Sequence, residues 1–182
     1  EDGTNVVELW YEGYEIKKGK PSLEGLPALY AKDDEAETLE ITLSDTKGRM
    51  KAILSYTVFE GDGVLTRSVR YVNTCKEAIR LENAASLSLD FPDHDFDRMS
   101  LYGGHASERN LERIRLMRGV METGNTRGAR SHQQSPFLAL ARPAAGELSG
   151  DVYGFSLVYS GSFRMATEVE QFGTTRVVIG LN

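Results

Sequence analysis

Apolar and polar residues alternate with a period of two along much of the chain. In residues 38–43, Leu, Ile and Leu alternate with Thr, Glu and Thr, and a second alternating run extends from Met50 to Val58. Between the two runs lies Ser44-Asp-Thr-Lys-Gly48, which has the composition of a turn. Two alternating runs joined by a short turn predict a β-hairpin.

Further runs continue this pattern to the end of the chain. We predict strands at residues 64–73 and 78–91, another ending in Phe155, Leu157 and Tyr159, and two more around Thr167 and over 176–181. Residues 107–118 lack the helical spacing and are also predicted as a strand. Short runs with turn signals about every ten residues are typical of an antiparallel sandwich or barrel. We therefore expect one all-β domain over residues 1–182, with little or no helix.

Composition and charge exclude several classes of function. The 182 residues carry a formal net charge of −6, which argues against nucleic acid as the main partner. No apolar run approaches the ~20 residues that span a bilayer, so no membrane partner is expected. The single cysteine, Cys75, excludes a disulfide framework and a multi-cysteine metal site, and it fits a reducing, cytoplasmic location.

The densest group of candidate catalytic residues is Asp90-Phe-Pro-Asp-His-Asp-Phe-Asp97. Four carboxylates and a histidine could bind a metal ion or supply an acid/base pair. A calcium loop starting at Asp93 requires glycine and glutamate where the chain has Arg98 and Gly104, so that pattern fails. Asp and Pro between strands are also ordinary turn residues, and we favour a turn here.

The remaining candidates are dispersed. His94, His105 and His132 share no short metal-binding spacing, and Cys75 follows Asn73-Thr74 in a turn. The arginine-rich residues 109–130 are interleaved with glutamates, which favours an ion-paired surface or interface. No phosphate-binding loop, dinucleotide fingerprint or nucleophile elbow occurs, so we predict no metal and no cofactor.

Several short sequence motifs, which follow one another along nearly the whole chain, are more specific than the alternation of apolar and polar residues. They include Lys18-Gly-Lys-Pro, Leu101-Tyr-Gly-Gly-His-Ala-Ser-Glu-Arg109, Ser131-His-Gln133 with Pro136-Phe137, Tyr153–Gly161 and Gln171-Phe-Gly173. In these residues the chain resembles the amino-terminal domain of glycoside hydrolase family 36 α-galactosidases. The resemblance implies an antiparallel β-supersandwich of two large packed sheets, in agreement with the alternating pattern.

The resemblance also implies what lies outside this chain. A (β/α)₈ barrel would hydrolyse terminal α-1,6-galactosides such as melibiose and raffinose with retention, using two aspartates. The barrel nucleophile lies in a Lys-Trp-Asp context, whereas the only tryptophan here is Trp10, followed by Tyr11. We therefore expect a fragment of a longer α-galactosidase that lacks the first residues and the barrel, and that is inactive by itself.

Bacterial members of the family are tetramers in which this domain reaches the active site of a neighbouring subunit. The implied partners are thus an α-galactoside oligosaccharide, the protein's own barrel and neighbouring subunits. The implied substrate-binding residues are Gly104, His105, Glu108 and Arg109. His105 stands where relatives carry an aromatic residue, usually Trp. Because imidazole offers a smaller stacking face and two polar nitrogens, we expect a shift toward hydrogen bonding to the sugar.

Two other interpretations remain open. The chain could be a stand-alone carbohydrate-binding module, which would bind sugar without a barrel. It could also be an enzyme that uses Asp93, Asp95 or Asp97. If the chain is a fragment, an apolar face that normally meets the barrel should be exposed, and self-association is expected.

Overall fold

The computed structural model describes residues 7–129 and 132–181, and within these ranges the chain is entirely β-structure and loops. The described residues contain twelve strands and no helix. Consequently, no helix in the described part of the chain could cross a membrane. All strand pairs are antiparallel. The all-β prediction is confirmed, with the strands distributed over three four-stranded sheets. The chain divides into two compact units, Glu1–Glu82 and Asn83–Asn182.

The first unit is a meander of four long strands, in the order β1-β2-β3-β4. Their bounds are β1 Leu9–Lys18, β2 Ala36–Asp45, β3 Met50–Phe59 and β4 Val64–Asn73. The predicted hairpin at residues 38–58 is confirmed as β2 and β3, with Leu39 opposite Tyr56 and Leu43 opposite Ala52. The predicted strand at 64–73 matches β4.

The two faces of this sheet differ in chemistry. One face carries hydroxyl groups and ion pairs: Thr38 and Thr57 lie opposite each other, and Lys17 pairs with Glu40 at 2.6 Å. The other face is apolar and open, which matches the predicted apolar patch. Its side chains include Tyr11, Tyr14, Ile16, Val58 and Leu65, which are 63%, 66%, 61%, 53% and 60% exposed.

The second unit is a β-sandwich of two sheets. One sheet has the order β10-β9-β6-β7 and the other has β5-β12-β11-β8. The bounds are β5 Ala85–Phe91, β6 Asp97–Gly104, β7 Ser107–Arg115, β8 Gly119–Asn125, β9 Gln134–Ala141, β10 Val152–Ser156, β11 Phe163–Val169 and β12 Thr175–Leu181. Of the strand predicted over residues 107–118, residues 107–115 form β7 and residues 116–118 lie outside it. The prediction of one domain over 1–182 stays a prediction.

Two other predicted strands also extend beyond the observed ones. Residues 78–84 lie outside β5, because this segment carries the chain from the first unit to the second and has no strand partner. Residues 157–159 lie beyond β10, which ends at Ser156. There Leu157 N donates to Pro136 O at 3.0 Å, and Tyr159 N donates to Leu157 O at 2.9 Å. These bonds bend the chain, so the alternating residues at 155–159 are only partly strand.

The core of the second unit lies between its two sheets. Apolar side chains from both sheets form it: Leu138, Leu140, Phe163, Met165, Val169, Val177 and Ile179. Phe96 and Leu116 belong to the same cluster and close one end of it. Phe96, Leu138, Leu140, Phe163, Met165 and Val177 are fully buried. Phe96 directly precedes β6 and Leu116 directly follows β7, so this packing anchors the base of the β6–β7 hairpin that carries the candidate site.

Candidate functional site

All four predicted substrate-binding residues lie at the tip of the β6–β7 hairpin. Gly104 ends β6 opposite Ser107, and His105 and Ala106 form the turn. Glu108 and Arg109 follow at the start of β7. His105, Glu108 and Arg109 are exposed, and Gly104 is half-buried. The structure therefore groups these residues, and their contact with a sugar stays a prediction.

A tight backbone approach shapes this tip. The pairing of β6 with β7 shifts between Tyr102 and Gly104, so the hairpin contains a bulge. A Cβ at Gly103 would lie 2.4 Å from Ser107 O and 2.7 Å from Glu108 Cα, both in the opposite strand. Only glycine allows the two strands to approach this closely. Beyond the bulge, Ala106 and Arg109 both have φ of 60°, in the left-handed region.

Hydrogen bonds within the tip assign a structural role to Glu108. Its Oε1 accepts a hydrogen bond from Ala106 N at 3.2 Å, which holds the turn in its left-handed conformation. Asn110 Nδ2 donates to Ser107 O at 2.9 Å on the same side of the turn. Arg109 has no such contact among the described residues, so His105 and Arg109 are the side chains most available to a partner or ligand.

His132 lies beside His105, a neighbour that sequence reasoning did not find. Their ring centroids are 6.4 Å apart, and both side chains are exposed. The two segments are joined by a hydrogen bond from Gly103 N to Gln133 O at 3.0 Å. The sequence singled out the segment around His132 but gave no signal for its position in space, because 26 residues (106–131) separate the two histidines along the chain.

The acidic segment at 90–97 is a set of ion pairs and turn contacts, as the turn interpretation expects. Asp93 forms a two-pronged pair with Arg142, at 2.7 and 3.1 Å, and Asp97 pairs with Arg113 at 2.8 Å. Asp93 Oδ1 also accepts a hydrogen bond from Asp95 N at 2.9 Å, a typical Asx turn. No group of three potential metal ligands occurs in the described ranges.

Electrostatics at this segment disfavour acid catalysis. The Arg142 guanidinium, followed by the backbone N–H of Asp95, lowers the pKa of Asp93 below its usual value. Arg176 lowers the pKa of Asp90 in the same way, through hydrogen bonds of 2.7 and 3.0 Å. A general acid near neutral pH needs a raised pKa instead.

Two further candidates have structural roles. His94 lies at the opposite end of β6 from the hairpin tip, where its Nδ1 is 3.0 Å from Gly173 O. Cys75 is exposed, and its backbone N donates to Asn73 Oδ1 at 2.8 Å in a turn. Within the described ranges, neither residue belongs to a group of three potential metal ligands.

Comparison with known proteins relates this β-rich chain and its exposed hairpin to a family of glycosyl hydrolase N-terminal domains. The glycosyl hydrolase family 36 N-terminal domain matches residues 1–182. Two similar relatives are α-galactosidase AgaA of Geobacillus stearothermophilus, 48% identical, and α-galactosidase C of Emericella nidulans, 43% identical. They are matched over 100% and 99% of this chain but over only 25% and 24% of their own lengths.

Solved structures show the same similarity. The crystal structure of an AgaA variant in complex with raffinose has a TM-score of 0.97 and 48% identity, covering 100% of this chain and 26% of that one. The galactosidase domain of AgaSK has a TM-score of 0.94 and 44% identity, covering 99% of this chain and 25% of that one. The chain belongs to the glycosyl hydrolase family 36 N-terminal domain family and spans about a quarter of the relatives it matches.

Proposed function

We propose that this chain is the non-catalytic N-terminal domain of a longer, cytoplasmic α-galactosidase that hydrolyses terminal α-1,6-galactosides such as melibiose and raffinose with retention. The observation that carries the proposal is the family match over every residue of the chain. Relatives that match it throughout are named α-galactosidases, and variants of AgaA have been crystallised with raffinose and stachyose.

In this proposal, the residues that hydrolyse the glycosidic bond belong to a part of the protein outside this chain. Retaining glycosidases use a carboxylate nucleophile and a carboxylic acid whose pKa is raised. The carboxylates at 90–97 instead form ion pairs with arginine, and the pKa values of Asp90 and Asp93 are lowered. These features favour a non-catalytic role for this domain. The proposal assigns neither a metal nor a cofactor to it.

The open apolar face of the first unit supports a role in assembly. Tyr11, Tyr14 and Ile16 are each more than 60% exposed on one face of β1, next to the half-buried side chains of Leu39 and Ile41 on β2. Contiguous exposed apolar surface is one of the features that mark a protein–protein interface. The proposed partners are the protein's own catalytic barrel and neighbouring subunits of a homotetramer.

The β6–β7 hairpin tip is proposed as part of a neighbouring subunit's substrate site. His105 projects from a turn fixed by Glu108, and the bulge at Gly103 sets the direction of the tip. Loops held by a rigid scaffold commonly carry binding residues. In this role His105 contacts the sugar residues beyond the terminal galactose, and Gly104, Glu108 and Arg109 position it or bind alongside it.

The test is His105→Ala in the full-length gene product, assayed with raffinose and with an aryl α-galactoside. Raffinose extends beyond the galactose, so we expect kcat/KM for raffinose to fall at least fivefold further than for the aryl substrate, about 1 kcal/mol of differential transition-state binding.

The matched control is His94→Ala, the same substitution at the opposite end of β6. We expect it to leave the ratio of the two kcat/KM values unchanged. Equal losses on both substrates in the His105 variant would remove the subsite role. Absence of α-galactosidase activity in the unmodified protein would refute the proposed function itself.

A further inference from the structure

The inner face of β6 breaks the rule that residues facing the middle of a sandwich are apolar. Arg98 and Ser100 lie opposite Leu140 and Leu138 of β9, whose side chains belong to the core. Arg98 and Ser100 are each only 5% exposed. The interior of the second unit therefore changes from apolar to polar on crossing from β9 to β6.

Arg98 is buried with an incomplete set of hydrogen-bond partners. Its Nη2 donates to Thr123 Oγ1 at 2.6 Å and to Met165 O at 3.5 Å, both in the opposite sheet. Its Nε has no partner among the described residues. Burial lowers the pKa of Arg98, and Glu112 and Glu122 act in the opposite direction. An unsatisfied donor on a buried guanidinium is costly, so a hydrogen-bond acceptor that reaches Arg98 Nε would bind there favourably.

A cavity of about 310 Å³ lies beside this arginine. It is bordered by Ser100 and Tyr102 of β6, Glu112 of β7, Thr123 of β8 and Gln134 of β9. β7 and β8 are edge strands of their respective sheets, so the cavity opens at one edge of the sandwich. Tyr102 is 49% exposed at this opening.

The polar groups around the cavity both donate and accept hydrogen bonds. Ser100 Oγ lies 3.5 Å from Glu112 Oε2, a long contact that leaves most of the carboxylate's accepting capacity unused. The positive charge of Arg98 is balanced by Glu112, and the carboxylate of Glu122 is held by Arg164 at 2.7 Å. A neutral ligand with several hydroxyl groups fits this balance better than an anion or a cation.

From this geometry we infer that the edge cavity binds one pyranose ring of a saccharide. The volume is at the lower end of that of ligand pockets, roughly 300 Å³, and suits a single sugar ring. The carboxylate of Glu112 and the side-chain NH₂ of Gln134 can bind neighbouring hydroxyls, since Gln134 Oε1 already accepts a hydrogen bond from Gly124 N at 2.9 Å, and the exposed ring of Tyr102 offers a stacking face. The site is distinct from the His105 hairpin tip and does not depend on the proposed catalytic role.

The test is calorimetric titration of the full-length gene product with raffinose and with free galactose. The protein is first saturated with 1-deoxygalactonojirimycin, which an AgaA variant binds in a crystal structure and which we use to occupy the catalytic site. We expect residual saccharide binding with a millimolar Kd. In Glu112→Gln, which removes the charge but keeps the shape, the affinity should fall about tenfold, as for loss of one charge-assisted hydrogen bond.

The matched control is Glu168→Gln, on an exposed position of β11 away from the cavity, which should leave the residual Kd unchanged. The inference is overturned if no saccharide binds after the catalytic site has been saturated. It is also overturned if Glu112→Gln and the unmodified protein bind the saccharide with the same Kd. The inference would also be overturned if a lysine ester displaced the bound raffinose and free galactose did not. The cavity would then select a cation and not a sugar ring. Activity measured in the same preparation tests the proposed function separately.

Discussion

Gly103→Ala tests whether the close approach of two strands sets the position of the candidate site. The added Cβ would lie 2.4 Å from Ser107 O and 2.7 Å from Glu108 Cα. Non-bonded carbon atoms pack at about 3.5–4.0 Å, so the backbone of β7 must move by roughly 1 Å. Both obstructing atoms belong to the backbone, and no flexible side chain can relieve the overlap. We expect a cost of about 1–3 kcal/mol, as for other overpacked sites.

The matched control is Gly154→Ala, at an exposed position of β10 where a Cβ meets no atom within 4 Å. It should change the free energy of unfolding by less than about 0.5 kcal/mol, as surface substitutions usually do. Urea denaturation measures the stability difference, and kcat/KM ratios for raffinose and an aryl α-galactoside report on the hairpin tip. Only Gly103→Ala should lower both the urea concentration at the unfolding midpoint and the ratio of kcat/KM for raffinose to kcat/KM for the aryl α-galactoside. Equal effects of the two alanines would refute the reasoning.

Two further predictions concern stability. In the first unit, Thr38 Oγ1 donates to Gly19 O at 2.7 Å and therefore accepts from Thr57 Oγ1, also at 2.7 Å. Urea denaturation should show that Thr38→Val costs about 2–3 kcal/mol and Thr57→Val only about 1 kcal/mol, and equal costs would contradict this order. In the second unit, Arg142 lowers the pKa of Asp93 in the folded state, so this pair stabilises the protein above the ordinary aspartate pKa of about 3.9 and ceases to do so as the pH falls through the lowered value. Asp93→Asn should flatten the loss of stability below about pH 4, and parallel profiles for the two proteins would exclude that role.

Local alternation was sufficient to predict most of the strands. Residues 38–58 contain a two-residue period and a turn between the two runs, and both depend only on neighbours in the sequence. The pattern did not predict which face is covered. On β2 the fully buried side chain is Thr38, whereas Leu39 is only half-buried. Coverage depends on what packs against the sheet, which alternation cannot show.

In the candidate site, too, some features depend on residues that are neighbours in the sequence and others depend on long-range contacts. Gly104, His105, Glu108 and Arg109 are close in sequence, so a single hairpin brings them together, whereas their assignment to a substrate site came from the family resemblance. His132 reaches His105 through a long-range hydrogen bond from Gly103 to Gln133, for which the sequence has no local signal. The edge cavity likewise depends on two sheets, because Arg98 and Thr123 meet only when the sandwich closes.

The acidic segment that first suggested catalysis is better explained as the anchor of the β6–β7 hairpin. Asp97 binds Arg113 at 2.8 Å, and Asp95 binds Arg115, which joins the start of β6 to the end of β7. Arg113 also donates to three backbone carbonyls in residues 142–145. These bonds hold one end of the hairpin to the sandwich, while the bulge at Gly103 directs the other end, with His105, toward solvent. A fixed base and an exposed tip are what a domain needs if it is to place one side chain in a site formed mainly by another part of the protein.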